Sequence, residues 1–199
     1  MKYNHTEAIE KATQLFWQKG FQASGMRDIQ HALDMRPGSI YARFKSKDVL
    51  FQTVVEQYNE CNRRKLVEVA NAVSPINALR EFIITPLTGS EDKRYARQCL
   101  LVKTIPELDL LGINCQQVVM EGITTSRECF ILVIESAIDK NELPANTPVS
   151  NAADWLMNQF IGLRAYASIN DDDMGIKFMV DKLFIDLTSA WPETQALSE

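Results

Sequence analysis

Apolar residues recur along most of this chain at the three- and four-residue spacing of an amphipathic helix, and no stretch alternates convincingly with a period of two. Eight glycines and seven prolines interrupt the pattern, mostly where a helix would begin or end. The pattern therefore predicts an all-α fold of about nine helices. The predicted helices cover approximately residues 4–19, 26–33, 37–44, 46–71, 75–86 (or to 89), 94–106, 114–140, 148–169 and 172–190.

Three short helices open the chain. The first has one apolar face and ends at Gly20, a residue suited to a helix C-terminus. Only Asp34, Met35 and Arg36 separate the second helix from the third, which leaves room for no more than a tight turn. Pro37 suits the first position of the third helix. Two short helices joined by a three-residue turn are the geometry of a helix-turn-helix, a DNA-binding motif.

The third helix is predicted to lie in the major groove, with its N-terminal residues at the base edges. Ile40 and Phe44 are four residues apart and would anchor its inner face. Tyr41 on the outer face, with basic residues after it, suits contact with phosphates. Lys47 begins the next helix, where free amide groups also favour an anion. The residues predicted to contact DNA are Arg27, Arg36, Pro37, Gly38, Ser39, Tyr41, Ala42, Arg43, Lys45 and Lys47.

The distribution of charge supports this interpretation, although the net charge of −5 taken whole does not. Residues 1–50 carry eight basic and five acidic residues, a net charge of +3 against −8 for the remainder. A basic N-terminal part on an acidic remainder fits a protein that presents one end to phosphate.

The same region resembles a known family. The resemblance lies in Gly20-Phe21, Met26-Arg27-Asp28-Ile29, Pro37-Gly38-Ser39-Ile40-Tyr41 and Phe44-Lys45-Ser46-Lys47-Asp48-Val49-Leu50-Phe51. Over about residues 5–55 this pattern resembles the DNA-binding domain of the TetR (tetracycline repressor) family. The resemblance implies an all-helical dimer that usually represses transcription and holds a small molecule in its C-terminal domain. It also implies that Gly38, Ser39, Tyr41, Ala42, Arg43 and Lys47 face DNA, with Tyr41 and Lys47 on phosphates.

Two positions depart from the family pattern. Asp34 stands in the turn where glycine is common, and aspartate is one of the few other residues that tolerate a left-handed backbone. Gly25 stands where a hydroxyl residue often caps the second helix, and it offers no side chain to a phosphate.

We expect two domains: a helix-turn-helix domain over residues 1–50, hereafter the head, and an effector-binding and dimerisation domain over residues 51–199, hereafter the body. An effector pocket is expected among the fourth to eighth helices, although core packing explains each candidate residue as well. The candidate pocket residues are Cys99, Lys103, Met120, Trp155, Gln159 and Tyr166.

The last two helices each carry an apolar stripe. The resemblance implies that they pack against the same two helices of a second chain across a two-fold axis. A homodimer is expected because an isolated pair of helices cannot bury both stripes. The alternative is that both stripes pack inside one chain. The predicted interface residues are Leu156, Phe160, Leu163, Ala167, Ile176, Met179 and Leu183.

Four cysteines, with no C-x-x-C pair and no histidine nearby, predict free thiols and neither a metal site nor a disulfide framework. Cys99 and Lys103 are one helical turn apart, so the ammonium group could favour a thiolate. This suggests that the effector is an electrophile or an oxidant.

Other function classes fit the sequence less well. His5 and His31 are the only histidines, and no catalytic motif is recognisable, so we expect neither an enzyme nor a bound cofactor. No apolar run is long enough to span a membrane and the chain opens with polar residues, so a cytoplasmic protein is expected. The sequence therefore predicts a regulator that binds a palindromic operator in double-stranded DNA and a small-molecule effector. The alternative is a helical bundle that binds other proteins but no DNA.

Overall fold

The computed structural model describes residues 4–88 and 97–192, and within these ranges the chain forms helices and no strands. The all-α prediction is confirmed. The helices are α1 (His5–Lys19), α2 (Met26–Leu33), α3 (Pro37–Phe44), α4 (Lys47–Asn71), α5 (Pro75–Ile84), α6 (Leu100–Thr104), α7 (Ile113–Asp139), α8 (Val149–Ala167) and α9 (Asp173–Leu187). A 3-10 helix (Ile105–Leu110) follows α6 directly.

Side-chain caps explain where several of these helices begin. A side-chain oxygen just before the helix accepts a hydrogen bond from an amide that has no partner within the first turn. Ser46, just before α4, accepts from the Val49 amide at 3.2 Å. The other caps of this kind belong to α1, α5 and α9 and are Asn4, Ser74 and Asp172.

The predicted fifth and sixth helices are too long. Pro86 has no amide hydrogen and cannot continue the backbone ladder, so α5 ends at Ile84. Residues 89–96, which include Gly89 and the predicted start at Arg94, lie outside the described residues. Within the described part, α6 has only five residues before the chain tightens into the 3-10 helix that contains Pro106. Proline disrupts a regular α-helix at this point for the same reason.

The core of the head is built around three aromatic rings. Phe16 of α1 meets Phe51 of α4 edge to face, with ring centroids 5.2 Å apart. Phe21, from the turn between α1 and α2, lies 4.7 Å from Phe51. Ile40 and Phe44 anchor α3 on this core and are 2% and 3% exposed, as the sequence predicts. The first turns of α4 therefore belong to the core of the head.

In the body, α4 and α7 pack against each other along much of their length. Gly122 of α7 permits a close approach, since a Cβ atom there would lie 2.3 Å from the Asn59 side chain. The Asn59 side chain donates to the carbonyl of Val118 at 3.1 Å. Helices α8 and α9 complete the body. Among the described residues, no helix is long and apolar enough to cross a membrane.

Candidate nucleic-acid interface

The turn between α2 and α3 sets the direction of α3. Asp34 has φ 51° and ψ 48°, the left-handed conformation that the sequence predicted aspartate could tolerate there. The next amide, that of Met35, donates back to the Gln30 carbonyl at 3.2 Å. The chain reverses tightly, and α3 then starts at Pro37, whose missing amide hydrogen is not needed at that position.

Helix α3 turns one face into the core of the head and the opposite face to solvent. Because Ile40 and Phe44 are buried, the residues between and before them point outward. Tyr41 is 50% exposed, and a Cβ atom added at Gly38 would meet nothing within 4 Å. The exposed residues of this predicted set are Arg27, Arg36, Pro37, Gly38, Ser39, Tyr41, Ala42, Arg43 and Lys45.

Lys47 differs from the other predicted DNA contacts because it is half-buried. Its Nζ atom lies 4.0 Å from the centre of the Phe21 ring, the geometry of a cation–π contact. Burial lowers the pKa of Lys47, while the nearby carboxylates of Asp48 and Glu107 oppose that shift. The side chain is thus held against the Phe21 ring at the edge of the head.

A groove of about 290 Å³ separates the first turns of α1 from the start of α3. Arg36, Ser39 and Arg43 line one side of it, and Asn4 and Lys11 line the other. Glu7 and Asp34 also line this groove, and Glu7 pairs with Lys11 at 2.7 Å. The sequence did not predict the groove, because only the folded head brings α1 beside α3.

The Cys99 side chain is buried against α4. The Tyr58 hydroxyl donates to the Cys99 Sγ atom at 3.2 Å, and burial raises the pKa of Tyr58 well above its ordinary value, which keeps that hydroxyl protonated. Trp17 of the head packs edge to face on Tyr58. Cys99 also borders a narrow cavity of about 20 Å³, roughly the size of one water molecule, whose other liners include Val102, Ile123, Ser126, Met157 and Phe160.

The other predicted pocket residues lie away from this cavity. Met120 is 47% exposed on α7, and Trp155 packs edge to face on Trp191 at 5.6 Å. Lys103 is half-buried on α6. Gln159 and Tyr166 line a different groove, of about 280 Å³, on the surface between α8 and α9. Helical spacing cannot separate cavity-lining residues from core residues, which is why the sequence prediction mixed them.

The predicted dimer residues pack largely within one chain. Six of them are buried by the chain's own helices, namely Leu156, Phe160, Leu163, Ala167, Ile176 and Leu183, while Met179 is half-buried. The physical reason is that the centre of each apolar stripe faces the body's own core, and only the flank of the stripe reaches solvent. The exposed apolar residues on and beside these two helices are Tyr166, Ile169, Met174, Phe178 and Ile185.

The described residues contain no group of three or more side chains that could hold a metal ion. All four cysteines are free thiols. Burial raises the pKa of Cys115 and of Cys129, which keeps these two thiols protonated and unreactive.

Residues 8–54 match the model of a family described as bacterial regulatory proteins, tetR family. The HTH-type transcriptional repressor ComR of Escherichia coli (strain K12) is 34% identical over 56 residues, which are 28% of this chain and 27% of ComR. The match to this relative therefore spans only about a quarter of its length.

Solved structures match over nearly the whole chain at low identity, which is a likeness of fold. A cysteine mutant of the TetR family regulator CifR, complexed with 26-base-pair operator DNA, superposes with a TM-score of 0.79 at 22% identity and covers 96% of this chain and 99% of its own. The reduced form of E. coli NemR superposes with a TM-score of 0.76 at 16% identity and covers 92% and 94%.

Proposed function

We propose that this chain is a dimeric transcriptional repressor of the tetR family of bacterial regulatory proteins, which binds a palindromic operator and is released by a small effector. The observation that carries the proposal is the two-faced α3: buried Ile40 and Phe44 fix it to the head, and the opposite face presents small, basic and aromatic residues to solvent. A helix that is exposed, basic and rigidly held in this way suits the major groove. The CifR complex with operator DNA, a protein of the same fold, supports it.

Within this proposal the exposed residues divide into two roles. Arg36 and Ser39 lie beside and in the first turn of α3, Arg43 lies in its last turn, and all three are assigned to base edges or nearby phosphates. Tyr41 and Lys47 are assigned to phosphates, which fix the register of the head on the duplex but carry no sequence information. Residues 1–50 act as the reading domain and residues 51–199 as the sensing and dimerising domain. The proposed location of the protein is the cytoplasm, because bacterial DNA lies there.

The proposed dimer forms through α8 and α9. Tyr166, Phe178 and Ile185 expose apolar area on these helices, with Phe178 72% exposed, and a second copy of the chain would cover it. A two-fold axis through this face would give the dimer two heads related by that axis. Two heads one helical turn of DNA apart, about 34–36 Å, read the two halves of a palindrome.

The proposed effector is a small soft electrophile that modifies Cys99. The sulfur borders a cavity and is hydrogen-bonded to Tyr58, which in turn packs on Trp17 of the head. In the reaction, the thiolate adds to the β-carbon of an activated alkene, a C–S bond replaces the C=C π bond, and the thiol proton ends on the neighbouring carbon. The adduct is too large for a cavity of about 20 Å³, so it must displace Tyr58 or α6. This repacking favours a state with lower operator affinity.

N-ethylmaleimide tests this part of the proposal. We expect stoichiometric alkylation to weaken operator binding by wild type at least about tenfold, which corresponds to about 1.4 kcal/mol. The Cys99→Ser variant should bind the operator normally and keep its affinity after treatment. Cys61→Ser is the matched control, because Cys61 is the one cysteine of the four that is not buried, and its alkylation should not change operator binding. Unchanged affinity of wild type carrying an adduct mapped to Cys99 would contradict the electrophile hypothesis.

Two other classes of function predict different behaviour. A helical bundle that binds only proteins would need no exposed tyrosine on α3, and its binding would not fall steeply with salt. An enzyme would need a catalytic pair, and the two histidines, His5 and His31, both lie in the head.

Selection from sheared genomic DNA tests the proposed function as a whole. Purified protein is incubated with the fragments at low salt, and bound fragments are sequenced. We expect one or a few sites with two-fold symmetry, which would support both the reading head and the dimer. No enrichment, from freshly purified protein or from protein refolded free of ligand, would favour the bundle.

A further inference from the structure

One stretch of the body, residues 98–110, holds the head at two separate points. At the first, the indole nitrogen of Trp17 donates to the Gln98 carbonyl at 2.5 Å. At the second, the side-chain amide of Gln22 donates to the Leu110 carbonyl at 2.9 Å. These contacts join residues more than eighty positions apart in the chain. They lie on α1 and the turn after it, whereas the covalent connection between head and body runs through α4.

Glu107, in the 3-10 helix of the same stretch, makes a third contact with the head, and this one carries a charge. Its Oε2 atom accepts hydrogen bonds from the amides of Phe21 and Gln22 at 2.9 and 3.2 Å. Hydrogen bonds to a charged carboxylate are stronger than neutral ones. They satisfy two amides in the turn between α1 and α2, where the backbone ladder of α1 has ended.

Gly20 shows how closely the carboxylate approaches the head. A Cβ atom at this position would lie 2.6 Å from Glu107 Oε1, and the backbone has a φ of +84°. The positive φ requires glycine, and a Cβ atom would also force the Glu107 carboxylate to move. The turn is therefore shaped to receive the carboxylate as well as to end α1.

The contact also reaches the proposed phosphate-binding side chain. The amide that Glu107 holds belongs to Phe21, and the ring of Phe21 supports the Lys47 ammonium group. Glu107 is also one of the carboxylates whose charge acts on Lys47. A shift of the 3-10 helix would thus move the turn, the ring and the cation together.

We propose that Glu107 is a positioning residue for operator recognition, which fixes the orientation of the head on the body and hence the distance between the two heads of the dimer. This inference rests on the proposed function, because that distance matters only to a dimer that reads two half-sites. Helix α4 supports the Phe21 ring through Phe51 and Lys47, and Glu107 adds a separate attachment to the backbone of the same turn. Without Glu107 the head samples a wider range of orientations, and the dimer loses its preference for one half-site spacing.

The test uses the full-length dimer with Glu107→Gln and operators whose half-sites are one base pair closer, at the native spacing, or one base pair farther apart. We expect binding at the native spacing to weaken about tenfold, the scale of one lost charge-assisted contact per head. We also expect the preference for the native spacing to fall. Asp109→Asn is the matched control, since it removes the same charge from an exposed position of the same 3-10 helix and should change neither quantity.

Equal weakening at all three spacings would overturn the proposal, because loss of stability or of a phosphate contact acts on every spacing alike. Wild-type affinity with wild-type spacing preference would also overturn it.

Hydrogen–deuterium exchange without DNA gives a second measurement that does not depend on an operator. Peptides containing Phe21 and Gln22 should exchange faster in Glu107→Gln than in Asp109→Asn, and unchanged exchange would overturn the proposed contact. If wild type selects no operator, the proposed function fails while this measurement still decides whether Glu107 holds the head. If wild type selects an operator and Glu107→Gln keeps its spacing preference, only the further inference fails.

Discussion

Phe51→Ala is expected to unfold the head while the body keeps its helices. The Phe51 ring is fully buried and contacts Phe16 and Phe21 on two sides. Truncating a buried phenylalanine to alanine costs about 3–5 kcal/mol, because it removes apolar burial and leaves a cavity. A domain of about fifty residues has a small core and little stability in reserve, so the loss falls on the head.

Circular dichroism and hydrogen–deuterium exchange measure this effect. The helical signal should fall by the share that α1, α2 and α3 contribute, exchange should rise over those three helices, and operator binding should be lost. Phe130→Ala is the matched control: Phe130 is equally buried, lies on α7 of the body and pairs with Phe160 at 5.7 Å. It should destabilise the body and leave the head protected at low temperature. If both variants unfolded head and body together in one transition, the two parts would be a single cooperative unit and the prediction would be wrong.

Combined Tyr41→Ala and Lys47→Ala substitutions are expected to weaken operator binding about a thousandfold without changing the melting temperature appreciably. The dimer loses four proposed phosphate contacts, and at about 1 kcal/mol each these sum to about 4 kcal/mol. Lys47→Ala alone should reduce the slope of log affinity against log salt by about 2, one unit per lysine in the dimer. Fluorescence anisotropy with a labelled operator over a range of salt concentrations measures both quantities.

The half-buried position of Lys47 adds a pH dependence. Its lowered pKa means that the free protein starts to lose this proton at a lower pH than an ordinary lysine would. Phosphate binds the charged form, so operator affinity should fall as the pH rises through that lowered pKa. Lys47→Arg should retain the salt slope and lose this part of the pH dependence, because arginine stays charged.

Lys65→Ala is the control for both measurements, since Lys65 is an exposed lysine farther along the same helix. An unchanged salt slope in Lys47→Ala would contradict the assignment of Lys47 to phosphate.

The two parts of the molecule differ in how well the sequence predicted them. In the head, the bounds of α2 and α3 agree with the prediction, and so do the buried anchors Ile40 and Phe44 and the exposed Tyr41. These features depend on neighbours within a few residues: a short turn, a proline at a helix start and apolar residues four apart. In the body, the start of α7 was predicted to within one residue, yet the residues chosen for the pocket do not share one cavity.

Proline marks the clearest error of the sequence prediction. Residues up to Pro106 were assigned to one regular helix, whereas the chain changes to a 3-10 helix at Ile105. That change matters because Glu107, one residue after Pro106, then contacts the head. The spacing of apolar residues did not indicate this change, because it reflects the average geometry of a helix and not a local switch from α to 3-10.

The sequence by itself determined the all-α class, the helix-turn-helix and the exposed face of α3, because each follows from interactions between residues close together in the chain. Only the tertiary structure decided which flank of α8 and α9 remains exposed, that Tyr58 meets Cys99 and that Glu107 holds the turn at Phe21. The last two pairs are separated by 41 and 86 residues. Contacts of this kind depend on how whole helices pack, and many residues on an amphipathic face satisfy the same spacing equally well.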